Sequence, residues 1–227
     1  MRFQSTATIA GSIAVGGAFT SIDGKTIEHL QAVAAIGGSV SSGITLPAVV
    51  VDPPSEPAVD TIAATGWKQW LKSIAQSNEA PSWSGAISGN PGCTMAPWAS
   101  SVNGSVVNVA SSKTIDARSA LSGCSSVSLQ QMTLRLHGDL TIVTDGFSSV
   151  NGLTVNSGDG LAHTLRIIVP TDSTGSRAVQ LSSNTVVTDP VTVTVATPGQ
   201  FVAGGGATLP GIVHSGSFSS YGAVDVG

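Results

Sequence analysis

Short runs of Val, Leu, Ile and Thr, separated by turn residues, set the pattern of this chain. The densest stretch is residues 125–170, where the runs are broken by His-Gly-Asp, Asp-Gly, Asn-Gly and Ser-Gly-Asp-Gly segments. Apolar and polar residues that alternate over a few positions indicate β-strands, and clusters of Gly, Asn and Asp indicate tight turns. The pattern therefore predicts many short strands, with residues 125–170 at the centre of the fold.

The two ends of the chain repeat this pattern. Residues 3–51 contain short aliphatic runs broken by Gly, and one short helix over residues 26–36 is the alternative there. Residues 11–21 and 211–220 share a Gly, an aliphatic run, a second Gly, and a Phe followed by hydroxyl residues. This recurrence predicts that head and tail supply the same kind of coil and stack as neighbours.

Very short strands with small residues at the corners favour a mainly all-β fold, namely a right-handed parallel β-helix (solenoid) with one packed α-helix. A β-sandwich is the alternative, because strands at this spacing also suit it. We predict a single β-solenoid domain over residues 1–227, with a helix and loop inserted at about 53–112. The polar residues 171–184 are expected to form an exposed excursion.

The helix pattern follows a proline-rich connector at residues 52–57. Apolar residues from Val59 to Ile74 fall on one helical face, with a start at Ser55 and Pro57 and an end at residues 77–78. All four tryptophans lie in or just after this segment: Trp67, Trp70, Trp83 and Trp98. Flat indole faces can stack on sugar rings, so these four are the candidate ligand-binding residues. The alternative is that they pack against the β core.

Composition indicates which partners and which cellular location to expect for the protein. Only 10% of the 227 residues are charged, the net charge is −4, and the nine Lys and Arg residues are scattered. No basic stripe is present for a phosphate backbone, so nucleic acid is not an expected partner. No window of about 18 apolar residues predicts a membrane-spanning helix. Abundant Ser, Thr and Gly with few charges are typical of secreted and cell-surface β-proteins.

The first residues imitate a signal peptide only faintly. Arg2 precedes an apolar stretch from Ile9 to Phe19, but its apolar residues alternate with Gly, Ser and Thr in the manner of a strand. We therefore expect an export signal or an anchor to lie upstream of this chain.

The two cysteines, Cys93 and Cys124, both lie in turn-like settings with no His, Asp or Glu within a few residues. That setting does not fit a metal site. We predict one disulfide that closes a Gly- and Ser-rich excursion, with two reduced thiols as the alternative. A disulfide would indicate an oxidising compartment.

Polar residues of the central stretch are the candidates for chemistry, because β-helical polysaccharide lyases and hydrolases use carboxylates or a basic residue in a cleft. Each aspartate of this set adjoins a Gly in a turn, where its side chain is expected to bond the local backbone. We therefore assign no catalytic residue, and no His, Cys or carboxylate spacing predicts a metal or another cofactor. The candidates are His137, Asp139, Asp145, Asp159, His163 and Arg166.

Three segments carry a resemblance to a known family: HGDLTIVTDGF, the SxNGLTVNSGDGLAHTLRIIVP pattern, and TPGQFVAGGGATLPGIVHSGSFSS. Over about residues 134–220 the chain resembles the β-helical surface domains found behind pilin-like N-terminal segments in bacterial type IV pilus-assembly (PilX-type) proteins. The resemblance implies an exported, envelope-anchored structural or adhesive module, and it supplies no catalytic residues.

We therefore expect a non-enzymatic, extracellular structural or adhesive module of a bacterial cell surface or pilus-associated protein. Its expected partners are cell-surface or pilus components, glycans among them. A carbohydrate-active β-helix enzyme is the first alternative, and a phage or virion fibre component is the second, because fibres share the low-charge, small-residue composition.

Overall fold

The computed structural model describes residues 2–3, 8–15, 19–32, 36–40, 65–76, 93–95, 105–170, 177–221 and 224–226. The strands in these ranges pair in parallel. In chain order they are β1 (Arg2–Phe3), β2 (Thr8–Val15), β3 (Phe19–Ala32), β4 (Ile36–Val40), β5 (Thr65–Gly66), β6 (Thr94–Met95), β7 (Ser105–Val109), β8 (Lys113–Asp116), β9 (Val127–Leu136), β10 (Leu140–Val143), β11 (Phe147–Ser157), β12 (His163–Ile168), β13 (Arg177–Leu181), β14 (Thr185–Val187), β15 (Val191–Gly204), β16 (Ala207–Leu209), β17 (Gly211–Tyr221) and β18 (Val224–Val226). The helices are α1 (Trp67–Gln76) and α2 (Ser119–Ser122).

The ladders sort these strands into three sheets, which the chain visits in the order A, B, C in each coil. Sheet A contains β5, β8, β10, β12, the first parts of β15 and β17, and the last parts of β2 and β3. Sheet B contains β6, the first parts of β9 and β11, β13, the last parts of β15 and β17, β1, the first part of β3, and β4. Sheet C contains β7, the last parts of β9 and β11, β14, β16, β18, the first part of β2 and the middle of β3.

Each part of a strand therefore pairs with the strand parts one coil away. β3 also pairs with its chain neighbours β2 and β4, because it is long enough to pass through all three sheets. This arrangement confirms the prediction of an all-β, β-helical fold with a packed helix. It does not fit the sandwich alternative, in which consecutive strands pair antiparallel.

The core consists of inward-facing aliphatic residues that stack from coil to coil. One row of sheet A takes one residue from each of five successive coils, and none of the five is more than 7% exposed. Burying a side chain of this size contributes about 1.5–3 kcal/mol. The row is Ile115, Ile142, Ile167, Val195 and Val213.

At the corner between sheets B and C, a residue of each of four successive coils has a left-handed backbone conformation, with a positive φ angle. Gln131, Asn151 and Asn184 have φ angles of 48°, 58° and 64°, and Gly206 has a φ of 79° in the next coil. Asn and Gly adopt this conformation at lower cost than other residues. The Asn-Gly and Gly-rich segments seen in the sequence are thus coil corners.

The head stacks on the tail, as the sequence recurrence predicted. Ile13 pairs with Val213 and Ala14 with His214 in sheet A, and Ile9 pairs with Val226 in sheet C. The N-terminal strands therefore follow the C-terminal coil in space, although they come first in the chain. The helical alternative over residues 26–36 is wrong, because β3 continues to Ala32.

The packed helix is shorter than the sequence suggested. Helix α1 begins at Trp67, because Thr65 and Gly66 pair with Ile115 and Asp116 in sheet A. The predicted start at residues 55–57 lies outside the described residues. The stretch at 53–112, predicted as an inserted helix and loop, also supplies strands β5, β6 and β7 to the ladders.

A further difference concerns residues 171–184, which were predicted to form an exposed excursion. Strand β13 lies within this range, and its residues Ala178, Val179 and Leu181 are buried. The prediction is wrong for this strand, whose short apolar run is flanked by polar residues in the sequence, while residues 171–176 lie outside the described ranges.

We expect Leu134→Ala to lower the free energy of unfolding by about 2–5 kcal/mol, because the side chain is 0% exposed in the core. Leu161→Ala is the matched control, since it removes the same atoms from a side chain that is 63% exposed in a turn. Its effect should stay within about 0.5 kcal/mol. Urea denaturation followed by circular dichroism measures both changes, and equal losses in the two variants would contradict the stacked core.

Candidate functional site

Two of the four candidate tryptophans are core residues. Trp67 and Trp70 are 1% and 2% exposed, and their ring centroids lie 5.6 Å apart with the planes tilted by 58°. Neither indole face is available to a sugar ring, so the ligand-binding hypothesis gives way to packing for this pair. Trp83 and Trp98 lie outside the described residues.

The predicted disulfide is present between Cys93 and Cys124, with an S–S distance of 2.07 Å and a Cα–Cα distance of 5.5 Å. Cys124 is 1% exposed, and Cys93 packs against the same core. The bond ties the segment that leads into β6 to the turn before β9, which is the next strand of sheet B. It therefore fixes the coil that contains β6 to the coil that contains β9.

Four of the polar candidates of the central stretch lie at or next to two successive corners between sheets C and A, where they form the pairs Asp139–Arg166 and Asp159–His163. We call this group, with Ser157 added, the corner cluster and define it as Asp139, Ser157, Asp159, His163 and Arg166. Strand β11 ends at Ser157, the turn that contains Asp159 follows, and His163 begins β12. Asp139 comes from the equivalent corner of the preceding coil, just before β10.

Asp159 organises its own turn. Its Oδ1 accepts hydrogen bonds from the Leu161 backbone N–H at 2.9 Å and from the Ser157 hydroxyl at 3.0 Å. The Nε2 of His163 lies 2.8 Å from the same oxygen, and because a carboxylate only accepts, Nε2 is the nitrogen that carries the hydrogen. The Leu161 N–H foremost, and then His163, lower the pKa of Asp159 to about 2. The predicted local turn role of Asp159 is thus observed.

Asp139 bonds a different coil from its own. Its Oδ1 accepts the backbone N–H of Thr164 at 2.9 Å, 25 residues along the chain, and its Oδ2 lies 3.9 Å from Nη2 of Arg166. Both charged side chains are about half exposed, at 41% and 48%, so the ion pair itself adds little stability. The local bond predicted for Asp139 is replaced by a tie between successive coils.

Asp145 likewise accepts a hydrogen bond from a residue that is far from it along the chain. Its Oδ2 accepts the backbone N–H of Ser119, the first residue of α2, at 2.7 Å and 26 residues away. The turn between β10 and β11, which contains Asp145, is instead closed by Thr144, whose hydroxyl donates to the Gly146 carbonyl at 2.9 Å. The sequence placed Asp145 in a turn but did not reveal that its partner belongs to another coil.

A charged pair that the sequence analysis missed lies at the end of β8. Asp116 is 5% exposed, and it accepts hydrogen bonds from the Arg118 guanidinium, the shortest at 2.6 Å, and from the Arg118 backbone N–H at 3.1 Å. The Arg118 side chain, more than the burial that opposes it, holds the pKa of Asp116 below its usual value. The available signal was an Asp-x-Arg sequence directly after Ile115.

This arrangement limits the chemistry that the corner cluster can support. Glycoside hydrolysis needs a general acid whose carboxyl pKa is raised, whereas the pKa of Asp159 is lowered. Asp139 has one oxygen engaged by a backbone N–H of the next coil. His137, the remaining candidate, is exposed and packs so closely on Gly158 that a Cβ at that glycine would overlap the imidazole. These contacts stabilise turns and hold coils together.

Two features are absent from the described ranges. They contain no group of three or more His, Cys, Asp or Glu side chains that could hold a metal ion. None of the helices in these ranges has the length and apolar character needed to cross a membrane.

Comparison with known proteins gives no match: no family model, no curated protein and no solved structure is similar to this chain. The contacts described above are therefore the basis for any assignment of function.

The disulfide generates a stability prediction. The two cysteines are 31 residues apart, and closing a loop of that length stabilises the folded state by about 3–4 kcal/mol in the chain-entropy account. The double variant Cys93→Ser/Cys124→Ser should lose about this amount in urea denaturation. Reductant should add two hydrogens to the intact mass of the parent protein and should leave the unfolding curve of the double variant unchanged. A parent protein whose mass does not change on reduction would contradict the bond.

The Asp159 turn generates a pH prediction. Because the folded pKa of about 2 lies below the ordinary aspartate value of 3.8, the contribution of Asp159 to stability is present above about pH 4 and is lost as the pH falls toward 2. Carboxyl NMR titration should give a midpoint near 2 for Asp159. In His163→Ala the midpoint should rise but stay below 3.8, since the Leu161 N–H still donates.

His214→Ala is the control for this titration, because His214 lies two strands further along sheet A than His163. Its Asp159 midpoint should equal that of the parent protein. A midpoint near 3.8 in the parent protein would show that the turn contacts do not form in solution.

Proposed function

We propose that this chain is a non-enzymatic structural or adhesive module, exposed outside the cell on a bacterial surface or on a pilus-associated protein. The observation that carries the proposal is that the carboxylates of the corner cluster form structural hydrogen bonds. Asp139 and Asp159 are engaged in bonds that hold a coil or a turn together, so the groups that an enzyme would need for acid–base work have structural partners.

The outward rows of the coils also support this proposal. In the coil formed by β10 and β11, the half-buried outward residues are Thr141 on sheet A, Ser148 on sheet B and Thr154 on sheet C. Their register partners in the preceding coil are also hydroxyl residues, namely Thr114, Ser128 and Thr133. In the following coil the register partners are Arg166, Gln180 and Val186, so the hydroxyl rows extend over two coils. Short hydroxyl side chains on regular sheets form small uncharged patches that suit contact with polar polymers such as glycans.

The disulfide supports the extracellular setting, because such bonds persist in oxidising compartments. The resemblance to the β-helical domains of type IV pilus-assembly proteins points to the same setting and suggests cell-surface or pilus components as partners. The disulfide and this resemblance together favour an extracellular module whose role is to present a rigid surface.

A binding screen combined with an activity screen tests the proposed function. We expect the intact protein to bind at least one surface polysaccharide or whole-cell preparation, and to release no reducing ends and no unsaturated sugar from any polysaccharide tested. Released product that disappears in Asp139→Asn or Asp159→Asn would contradict the proposal and favour the carbohydrate-active enzyme.

Three matched variants within one coil locate the adhesive face: Thr141→Lys, Ser148→Lys and Thr154→Lys. Each places one long cation on a different sheet, so we expect one variant to lose most of the binding and the other two to keep it. All three should retain the parent melting temperature, because the side chains point away from the core. Equal binding by all three would contradict adhesion through the coil faces.

A further inference from the structure

The junction between the two ends of the chain is the least local interface in the described part of this fold. Strands β17 and β18 pair with β1 and β2, which lie at the opposite end of the sequence. The paired residues include Val213 with Ile13, Val226 with Ile9 and Ser219 with Arg2. This junction therefore joins two segments that the chain does not connect directly.

The coils on both sides of the junction have matched lengths. In the C-terminal coil, one turn of the solenoid takes the chain from Val193 to its register partner Gly211. The N-terminal coils take almost the same step, from Thr8 to Thr26 and from Phe19 to Ile36. Coils in the middle of the chain are longer, as the step from Leu153 to Thr185 illustrates. The N-terminal coils thus match the one coil on which they stack.

The segment that joins the N-terminal coils to the rest of the chain is long. Residues 41–64 link β4, at the outer end of the N-terminal coils, to β5, at the opposite end of the ladders. Eight strand steps separate β6 from β4 along sheet B, which is about 38 Å at about 4.8 Å per step. A segment as long as residues 41–64 reaches about 80 Å when extended, so this connection does not limit the N-terminal coils to their own C-terminal coil.

We propose that residues 2–40 of one molecule stack on the C-terminal coil of a second copy, so that the protein assembles by exchange of its N-terminal coils. Every backbone pair of the junction is then made between copies as it is within one copy, because the two surfaces are identical in either case. Since each copy has one donor segment and one acceptor coil, both reciprocal dimers and longer head-to-tail chains satisfy all junction contacts. This inference does not depend on the proposed function.

The test uses a cysteine pair across the junction, Ala14→Cys with His214→Cys in one chain. These positions are register partners, and neighbouring strands lie about 4.8 Å apart, which suits a disulfide. Unlabelled and ¹⁵N-labelled batches of this variant are mixed at high protein concentration, held in reductant and mild urea, returned to native buffer and then oxidised. Mass spectrometry of the linked peptides then shows whether the two halves came from one batch or from both.

With complete exchange, about half of the linked peptide pairs should combine a light and a heavy peptide. The control pair is Thr141→Cys with Arg166→Cys, register partners in the continuous part of sheet A, which should give no mixed pairs. Light scattering of the parent protein should show dimers or larger species that increase with concentration. Junction pairs that are linked but never mixed would overturn the proposal, and so would the absence of any link between positions 14 and 214.

Discussion

The stacking of one coil on the next, in parallel and in register, is the constraint on which the rest of this structure depends. An isolated coil cannot bury its aliphatic residues, because each is covered only when the equivalent residue of the next coil lies about 4.8 Å away. Ile115, Ile142 and Ile167 satisfy this condition and are at most 1% exposed. The same closeness restricts the corners, where a Cβ at Gly138 would overlap the backbone nitrogen of Ser112.

Coil stacking also explains what the few charged residues do. Strand ladders pair the backbone within the sheets, but corners and the first residues of strands leave N–H groups that need other acceptors. Asp139 accepts one such N–H from Thr164 of the next coil, and Asp145 accepts one from Ser119. In both cases donor and acceptor are separated along the chain by about one coil. Carboxylates that look like catalytic candidates in the sequence therefore act as ties between coils.

The sequence predicted those properties of the fold that depend on local pattern. Alternating aliphatic residues gave the strands, Asn-Gly and Gly-rich segments gave the corners, and the recurrence between residues 11–21 and 211–220 gave the contact between head and tail. Strand β13 was missed because its apolar run is short and its burial depends on neighbouring coils.

The partners of Asp139 and Asp145 were unpredictable for a related reason. Coil length varies among the ladders, from the short step between Phe19 and Ile36 to the much longer one between Leu153 and Thr185. No fixed period therefore links one corner to the next, and the residue that lies above a given aspartate cannot be found by counting along the sequence.

The coils formed by residues 65–226 are covered at their two ends in different ways, and this difference bears on assembly. An uncovered strand edge is a template for pairing with another chain. At one end, Trp67 and Trp70 are buried in the core and a disulfide fixes Cys93 to the next coil, so the cover there is tied covalently close to the strands it protects. At the other end, the C-terminal coil is covered by strands that are joined to the rest of the chain through residues 41–64. A cover held by so long a connection competes with the identical segment of any neighbouring copy, and that competition grows with protein concentration. The N-terminal strands that cover the C-terminal coil within one molecule can therefore also form an ordered assembly, when they cover the C-terminal coil of another.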